Sequence, residues 1–177
     1  MPVKNEKTEA EMAADIVRDA GGKVVGRTRL QKMAYLLEIS GLGCGFPFEY
    51  RHYGPFSEEL ANAVVNAQIA DLITEEERMA TWGGFYSIFK TKPGAGPANS
   101  NVNAARKQIL DLGMEANPIS LELAATAAFL AAEGNSEPWA ETRHRKPEKA
   151  AKYLDDAKAL YAQLRSIKTP KPLPAIP

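Results

Sequence analysis

The sequence predicts a mostly α-helical protein of the α+β class, with a short strand and a β-hairpin. Three observations predict this class. Apolar residues recur at helical spacing in the first 70 residues and again after residue 100. An aromatic-rich stretch at 46–53 has the composition of a strand, and residues 77–90 form two apolar runs around a Gly-Gly pair. The 177 residues, 45% of them hydrophobic, are enough for one domain with its own core.

The first helix is predicted from Thr8 to Ala20, ended by a Gly-Gly pair. The second begins at a cap on Thr28 and runs to about Ser40, where glycines at 41, 43 and 45 break it. Both helices carry apolar residues on one face. For the first helix these residues are Met12, Ile16 and Val17, and for the second Leu30, Met33, Ala34 and Leu37.

A strand over 46–53 and a third helix are predicted next. Gly54-Pro55 opens this helix, with Ser57 or Gly54 as its cap and two glutamates in its first turn, where the helix dipole favours carboxylates. Its predicted apolar line is Phe56, Leu60, Ala63, Val64 and Ala67. The acidic run 75–77 at the foot of the following hairpin is interpreted as a solvated surface.

The remaining chain is predicted to be helical. A loop spans 92–100, and helices follow at about 101–113, 119–133 and 147–166. We expect one domain over residues 8–168, winged-helix-like over 8–92 and helical over 100–168, although one strand does not occupy the usual winged-helix position. Residues 1–7 are predicted to be disordered, and the proline-rich tail 169–177 to be extended or disordered.

Composition limits the function classes. The net charge is zero, so no global attraction to nucleic acid or anionic membrane is expected. No apolar run approaches the ~18 residues of a membrane helix, and the polar N-terminus lacks the apolar segment of a signal peptide. These features predict a cytoplasmic protein with no membrane partner.

No catalytic, metal or cofactor site is predicted. The two histidines, His52 and His144, lie 92 positions apart, and no ligand spacing typical of zinc accompanies them. The only cysteine, Cys44, lies in a glycine-rich turn without a neighbouring base, so a small buried thiol is expected. The glycine-rich stretches GLGCGF and GAGP lack the context of a phosphate loop and are interpreted as turns.

Basic and aromatic residues are the candidate binding groups. Arg29 and Lys32 are predicted on the polar side of the second helix, so replacing both with glutamate should preserve the fold and weaken partner binding. A second basic cluster at 143–152 is either a solvated helix face or a binding surface. The hairpin aromatics either close over the helices or face a partner. The predicted partner-binding residues are Arg29, Lys32, Tyr35, Arg51, Tyr53, Trp82 and Phe85.

The segments RLQKMAYLLE and EYRHYGPFSEEL resemble bacterial YwgA-type proteins and, more distantly, the SocA-like antitoxins that carry the Panacea domain. The resemblance is clearest over residues 26–73. It implies a compact, mostly helical domain without catalytic residues. For the Panacea group it implies a protein partner, either a toxin that is neutralised or a substrate that an adaptor delivers to a protease, with frequent association with prophages and mobile elements.

Two function classes remain open. The first is a non-enzymatic interaction module, antitoxin-like or adaptor-like, that binds a protein. The second is a winged-helix-related DNA-binding transcriptional regulator, possibly a homodimer. The third helix weighs against DNA, since from residue 57 to 73 it contains acidic residues and neither lysine nor arginine.

Overall fold

The computed structural model describes residues 6–92 and 102–177, and these contain seven helices and five strands. The mostly helical α+β class is confirmed. The helices are α1 (Glu9–Asp19), α2 (Arg27–Ile39), α3 (Glu58–Ile69), α4 (Ala104–Glu115), α5 (Pro118–Ala132), α6 (Pro138–Arg145) and α7 (Pro147–Ser166). The strands are β1 (Lys23–Val25), β2 (Glu49–Arg51), β3 (Gly54–Phe56), β4 (Ile73–Met79) and β5 (Phe85–Thr91). Among the helices of the described residues, none has the length and apolarity needed to cross a bilayer.

The N-terminal half has a winged-helix arrangement. Strands β1, β5 and β4 form an antiparallel sheet in that order, with Val24 opposite Phe89 and Ile73 opposite Thr91. Strand β1 was not predicted, because three residues are too few to show strand alternation. Its presence gives the sheet the third strand of a winged helix, and the predicted hairpin, β4–β5, is the wing. The additional β2–β3 hairpin lies between α2 and α3.

The segment before α3 differs from its prediction. Only residues 49–51 of the predicted strand are in β2, and Gly54-Pro55 belongs to β3 instead of opening a helix. Gly54 has a φ of 89°, and its Cβ would lie 2.4 Å from Thr126 Oγ1, so glycine suits both the turn and the close approach to α5. The helix starts at Glu58, with the Ser57 hydroxyl accepting the Leu60 N–H, which confirms Ser57 as one of the two predicted caps.

The two N-terminal helices match their predictions with one exception. Helix α1 has Thr8 as its N-cap in a reciprocal capping box with Glu11. Helix α2 begins at Arg27 after Gly26, so the predicted cap at Thr28 is wrong: Thr28 already lies in the first turn. The predicted apolar stripes of both helices pack into the core, where Ile16 and Val17 are buried and Met12 is partly exposed.

The C-terminal half is helical as predicted, with α4, α5 and α7 close to their expected ranges. Helix α6 was not predicted, since eight mostly polar residues show no apolar period. Helix α5 is the centre of the fold and is buried along almost its whole length. It packs against α2, α6, α7 and β3, so charged residues on these partners can become buried where they face it.

The tail 169–177 is extended, without helix or strand, and packs on the body of the protein. The Lys171 N–H donates to the Ser40 carbonyl at 3.0 Å, and the Tyr161 hydroxyl donates to the Pro174 carbonyl at 2.5 Å. Leu173 is buried in the core. The alternative of a disordered tail is therefore wrong. Residues 1–5 of the predicted disordered N-terminus, and 93–101, which hold most of the predicted 92–100 loop, lie outside the described residues.

Candidate functional site

A groove of about 470 Å³ lies between α2, α3, the β2–β3 hairpin and the sheet. We call it the α2–α3 groove. Most of its lining is apolar, and its polar groups come from α2, the hairpin and β4. Its apolar lining includes Leu30, Phe56, Ala61, Val64, Val65 and Phe89. Its charged lining residues are Arg27, Lys32, Arg51 and Glu75. The groove brings together Lys32, Arg51 and Tyr53, three of the predicted binding residues.

One rim of the groove is an ion pair between Arg27 and Glu75, 2.6 Å apart. Glu75 also accepts hydrogen bonds from Ser87 at 2.6 Å and Gln68 at 2.9 Å. Burial acts to raise the pKa of Glu75, but these hydrogen bonds outweigh burial and hold the pKa below its ordinary value. The interpretation of 75–77 as a solvated run is therefore wrong for Glu75, whose side chain is mostly buried.

The opposite rim holds Arg51 and Tyr53, both exposed as expected of binding residues. Arg51 donates to Glu49 and Glu58, and its guanidinium lies 4.7 Å from the centre of the Phe56 ring. These contacts hold the arginine along the groove while leaving it in contact with solvent.

Lys32 is 1% exposed, so its predicted place on a polar helix face is wrong. The ammonium donates to the Pro55 carbonyl at 2.7 Å. Burial lowers the pKa of Lys32 from 10.5 to about 7, in spite of the opposing attraction of Glu122. The periodicity of α2 alone did not indicate this, since α5 and the β2–β3 hairpin cover the second side of the helix.

Behind Lys32, two further lysines converge on one buried carboxylate. Glu122 of α5 accepts from Lys146 at 2.7 Å and from Lys149 at 2.9 Å. Lys146 also donates to the His52 carbonyl in the β2–β3 turn at 2.9 Å, which ties the hairpin to α7. We call Lys32, Glu122, Lys146 and Lys149 the lysine cluster. Part of the basic segment 143–152 is therefore a buried structural element and not a solvated face.

Arg29 is also not free to bind a partner. Its guanidinium donates to the carbonyls of Gly113, Met114 and Ala116, where α4 ends. Helix termini leave carbonyls without intrahelical donors, and a cation there also complements the helix dipole. Burial lowers the pKa of Arg29. Replacing it with glutamate is expected to destabilise α4, which corrects the prediction that the fold would be unaffected.

Tyr35 is 3% exposed and cannot contact a partner in this structure. Its ring packs edge-on against Phe48 at 5.3 Å and tilted against Phe129 at 5.8 Å. Its predicted place among the partner-binding residues therefore does not agree with its burial. Its role in this structure is to join α2 to α5.

The wing tip exposes large apolar side chains. Trp82 is 77% exposed and Phe85 63% exposed, and Met79 beside them is also exposed, whereas Phe89 at the base of the wing is buried. The alternative that all hairpin aromatics close over the helices is therefore wrong. Trp82 is held over the turn, since a Cβ on Gly84 would lie 1.6 Å from its ring.

Helix α3 exposes a second apolar patch. Val65 and Ile69, one helical turn apart, are exposed, and Ile69 is 77% exposed. The opposite side of α3 is buried and carries Leu60, Ala63, Val64 and Ala67, as predicted. The remaining predicted position, Phe56, lies before the helix, in β3. We call Val65, Ile69, Met79, Trp82 and Phe85 the α3–wing surface. The two α3 residues gave no sequence signal, because single apolar residues on a helix are common on surfaces.

The histidines and the cysteine form no reactive arrangement in the described part of the chain. His52 and His144 are exposed in separate elements, and Cys44 is half-buried beside the Glu38 carboxylate, which accepts its backbone N–H. Burial raises the pKa of the Cys44 thiol, which opposes activation. Within residues 6–92 and 102–177, no group of three or more potential ligands could hold a metal ion.

Comparisons with protein-family models and with curated proteins find no match to this chain.

Proposed function

We propose that this chain is a non-enzymatic protein-binding module, of antitoxin or adaptor type, that contacts its partner through the α3–wing surface. The observation that carries the proposal is the exposure of Met79, Trp82 and Phe85 together at the wing tip, with Val65 and Ile69 also exposed on α3, the helix that precedes the wing. Large apolar patches on a soluble domain are typical of protein interfaces, and tryptophan and phenylalanine are enriched there. The resemblance of residues 26–73 to the Panacea group supports the antitoxin or adaptor type.

The charges around this surface favour a partner with basic residues beside its apolar ones. Helix α3 carries Glu58 and Glu59 and no cation. In the described part of the chain, Glu59 and Glu77 are exposed and form no ion pair, whereas Glu76 is paired with Arg78. Complementary charges at an interface increase the association rate and the specificity. We therefore expect an amphipathic segment with lysine or arginine near its apolar side chains.

The second candidate is a DNA-binding regulator, favoured by the winged-helix arrangement of the sheet. In such proteins the helix equivalent to α3 enters the major groove. Here that helix would bring carboxylates and exposed Val65 and Ile69 toward the phosphates, without a lysine or arginine to displace counterions. This charge pattern makes protein binding the better supported function.

The experiment that separates the two is affinity capture of the tagged protein from lysate of its own cells, with nuclease added to half of the sample. A stoichiometric protein partner that remains after nuclease treatment is the expected result. Recovery of DNA, with every accompanying protein lost after nuclease treatment, would favour the regulator and contradict the proposal.

A further inference from the structure

From the α2–α3 groove and the lysine cluster, we infer that the groove binds an apolar monocarboxylate, with the carboxylate paired to Lys32 and the apolar body along α3. The groove shares only Val65 with the α3–wing surface, and the inference goes beyond the proposed protein binding. The ligand class is a medium-chain or aryl-substituted carboxylic acid.

The dimensions and lining of the groove suit such a ligand. Its volume of about 470 Å³ lies within the range of small-molecule pockets, roughly 300–1,000 Å³. Leu30, Val64 and Phe89 provide an apolar wall from three different elements. An apolar wall with few polar groups gives affinity to the apolar body of a ligand and leaves orientation to a single charged contact.

Lys32 is a buried residue of the groove lining whose ammonium still has unused hydrogen-bond donors. In the described residues its ammonium has one acceptor, the Pro55 carbonyl, although an ammonium carries three donors. Two other polar groups of the lining are already satisfied: both ends of the Gln31 amide bond the backbone of Ser57, and both oxygens of Glu75 accept hydrogen bonds. A ligand carboxylate would supply the acceptors that Lys32 lacks.

The charge balance of the lysine cluster points to an anion. Glu122 forms salt bridges with Lys146 and Lys149. Among the described residues Lys32 forms no salt bridge, and the attraction of Glu122 only partly offsets its burial. Burying an incompletely compensated cation is costly, so a carboxylate that enters the groove would lower that cost and bind there in preference to a neutral molecule.

Binding should be coupled to proton uptake. Glu122 stabilises the charged form of Lys32, while burial and the two neighbouring lysines oppose it, with the result that its pKa is about 7. A carboxylate selects the ammonium form. The affinity of the carboxylate ligand should therefore be greatest at and below pH 7. Above pH 7 this affinity should fall by up to about tenfold per pH unit, because Lys32 must first gain a proton.

The test is isothermal titration calorimetry of the intact chain with octanoate and with octanamide, its neutral isostere, at pH 7, 8 and 9. Octanoate should bind saturably at pH 7, at least tenfold more tightly than octanamide, and should weaken about fivefold from pH 7 to 8 and about tenfold from pH 8 to 9. At pH 8.5, in buffers of different ionisation enthalpy, binding should take up about one proton. Equal affinity for the two compounds, a flat pH profile or no saturable octanoate binding would overturn the inference.

Two variants locate the site. Lys32→Met should reduce octanoate affinity at least tenfold and leave octanamide binding unchanged, whereas the matched replacement Lys152→Met, on an exposed α7 position, should bind as wild type. Ala61 lines the groove on the α3 side, so Ala61→Phe should fill the groove with a bulky ring without altering Lys32. This variant provides the test even if Lys32→Met folds poorly. Octanoate binding retained by both groove variants would refute the location.

Discussion

Lys32→Met is predicted to stabilise the protein below neutral pH and to lose this advantage as the pH rises. Lys32 is buried, and its pKa falls from 10.5 in the unfolded chain to about 7 in the folded protein. Methionine preserves much of the length of the side chain and removes the charge. The variant therefore separates the cost of the buried cation from the packing of its carbon chain.

The magnitude follows from proton linkage. Each pKa unit is about 1.4 kcal/mol, so protonated Lys32 destabilises the folded state by about 5 kcal/mol at pH 6. Methionine leaves the Pro55 carbonyl without its donor, which costs about 1–3 kcal/mol. The net gain at pH 6 is then about 2–4 kcal/mol. Between pH 7 and 10.5 the unfolded state binds more protons than the folded state, so wild-type stability rises with pH.

At pH 9 the cost of the buried cation has fallen to about 2 kcal/mol, and the two proteins should be nearly equal in stability. The assay is urea unfolding at pH 6, 7, 8 and 9, followed by far-UV circular dichroism, with Lys152→Met as the control for a lost exposed charge. A variant that is less stable than wild type at pH 6, or a stability difference that does not change with pH, would refute the account of Lys32.

Three further substitutions test other parts of the structure by the same unfolding assay. Leu37→Ala should cost on the order of 2–5 kcal/mol, because the side chain is fully buried, and a change below about 1 kcal/mol would contradict its core position. Glu122→Gln should cost about 3–5 kcal/mol by leaving Lys146 buried without its carboxylate, and an unchanged free energy of unfolding would show that the pair is not needed. Arg29→Met should destabilise by about 1–3 kcal/mol through the lost carbonyl contacts at the end of α4, and wild-type stability would contradict that anchoring role.

The sequence was sufficient for most elements that carry a strong local signal. The apolar period of α2, the capping residue Ser57 and the Gly83-Gly84 turn each depend on residues close together in the chain, and each prediction is confirmed. The missed elements, β1, β3 and α6, are short. Their existence depends on pairing with β5 and β2 and on packing against α5 and α7, which no local pattern records.

The site was harder to predict, because burial of a charged residue is a tertiary property. Arg29 and Lys32 lie off the apolar stripe of α2, a position that normally means exposure. In the folded protein, however, Arg29 donates to the Ala116 carbonyl at the end of α4, and Lys32 donates to the Pro55 carbonyl in the β2–β3 hairpin. Trp82 and Phe85 were identified from composition, but only the register of the wing places them at its tip, away from the core. The net charge of zero gave no indication of the lysine cluster. Its other three members lie 90 to 117 positions from Lys32 in the sequence.

The most direct test of the proposed function is quantitative capture of the protein partner by wild type and by a Trp82→Ser, Phe85→Ser double variant. Both residues are exposed, so the variant should unfold at the wild-type temperature. Gly84→Ala gives a second perturbation, since it displaces the Trp82 ring without removing it, and Lys152→Ser is the matched control on α7.

The account predicts that the double variant recovers less than a tenth of the wild-type amount of partner, that Gly84→Ala is also reduced, and that Lys152→Ser matches wild type. Wild-type recovery by a folded double variant would contradict the claim that the wing tip is the binding surface.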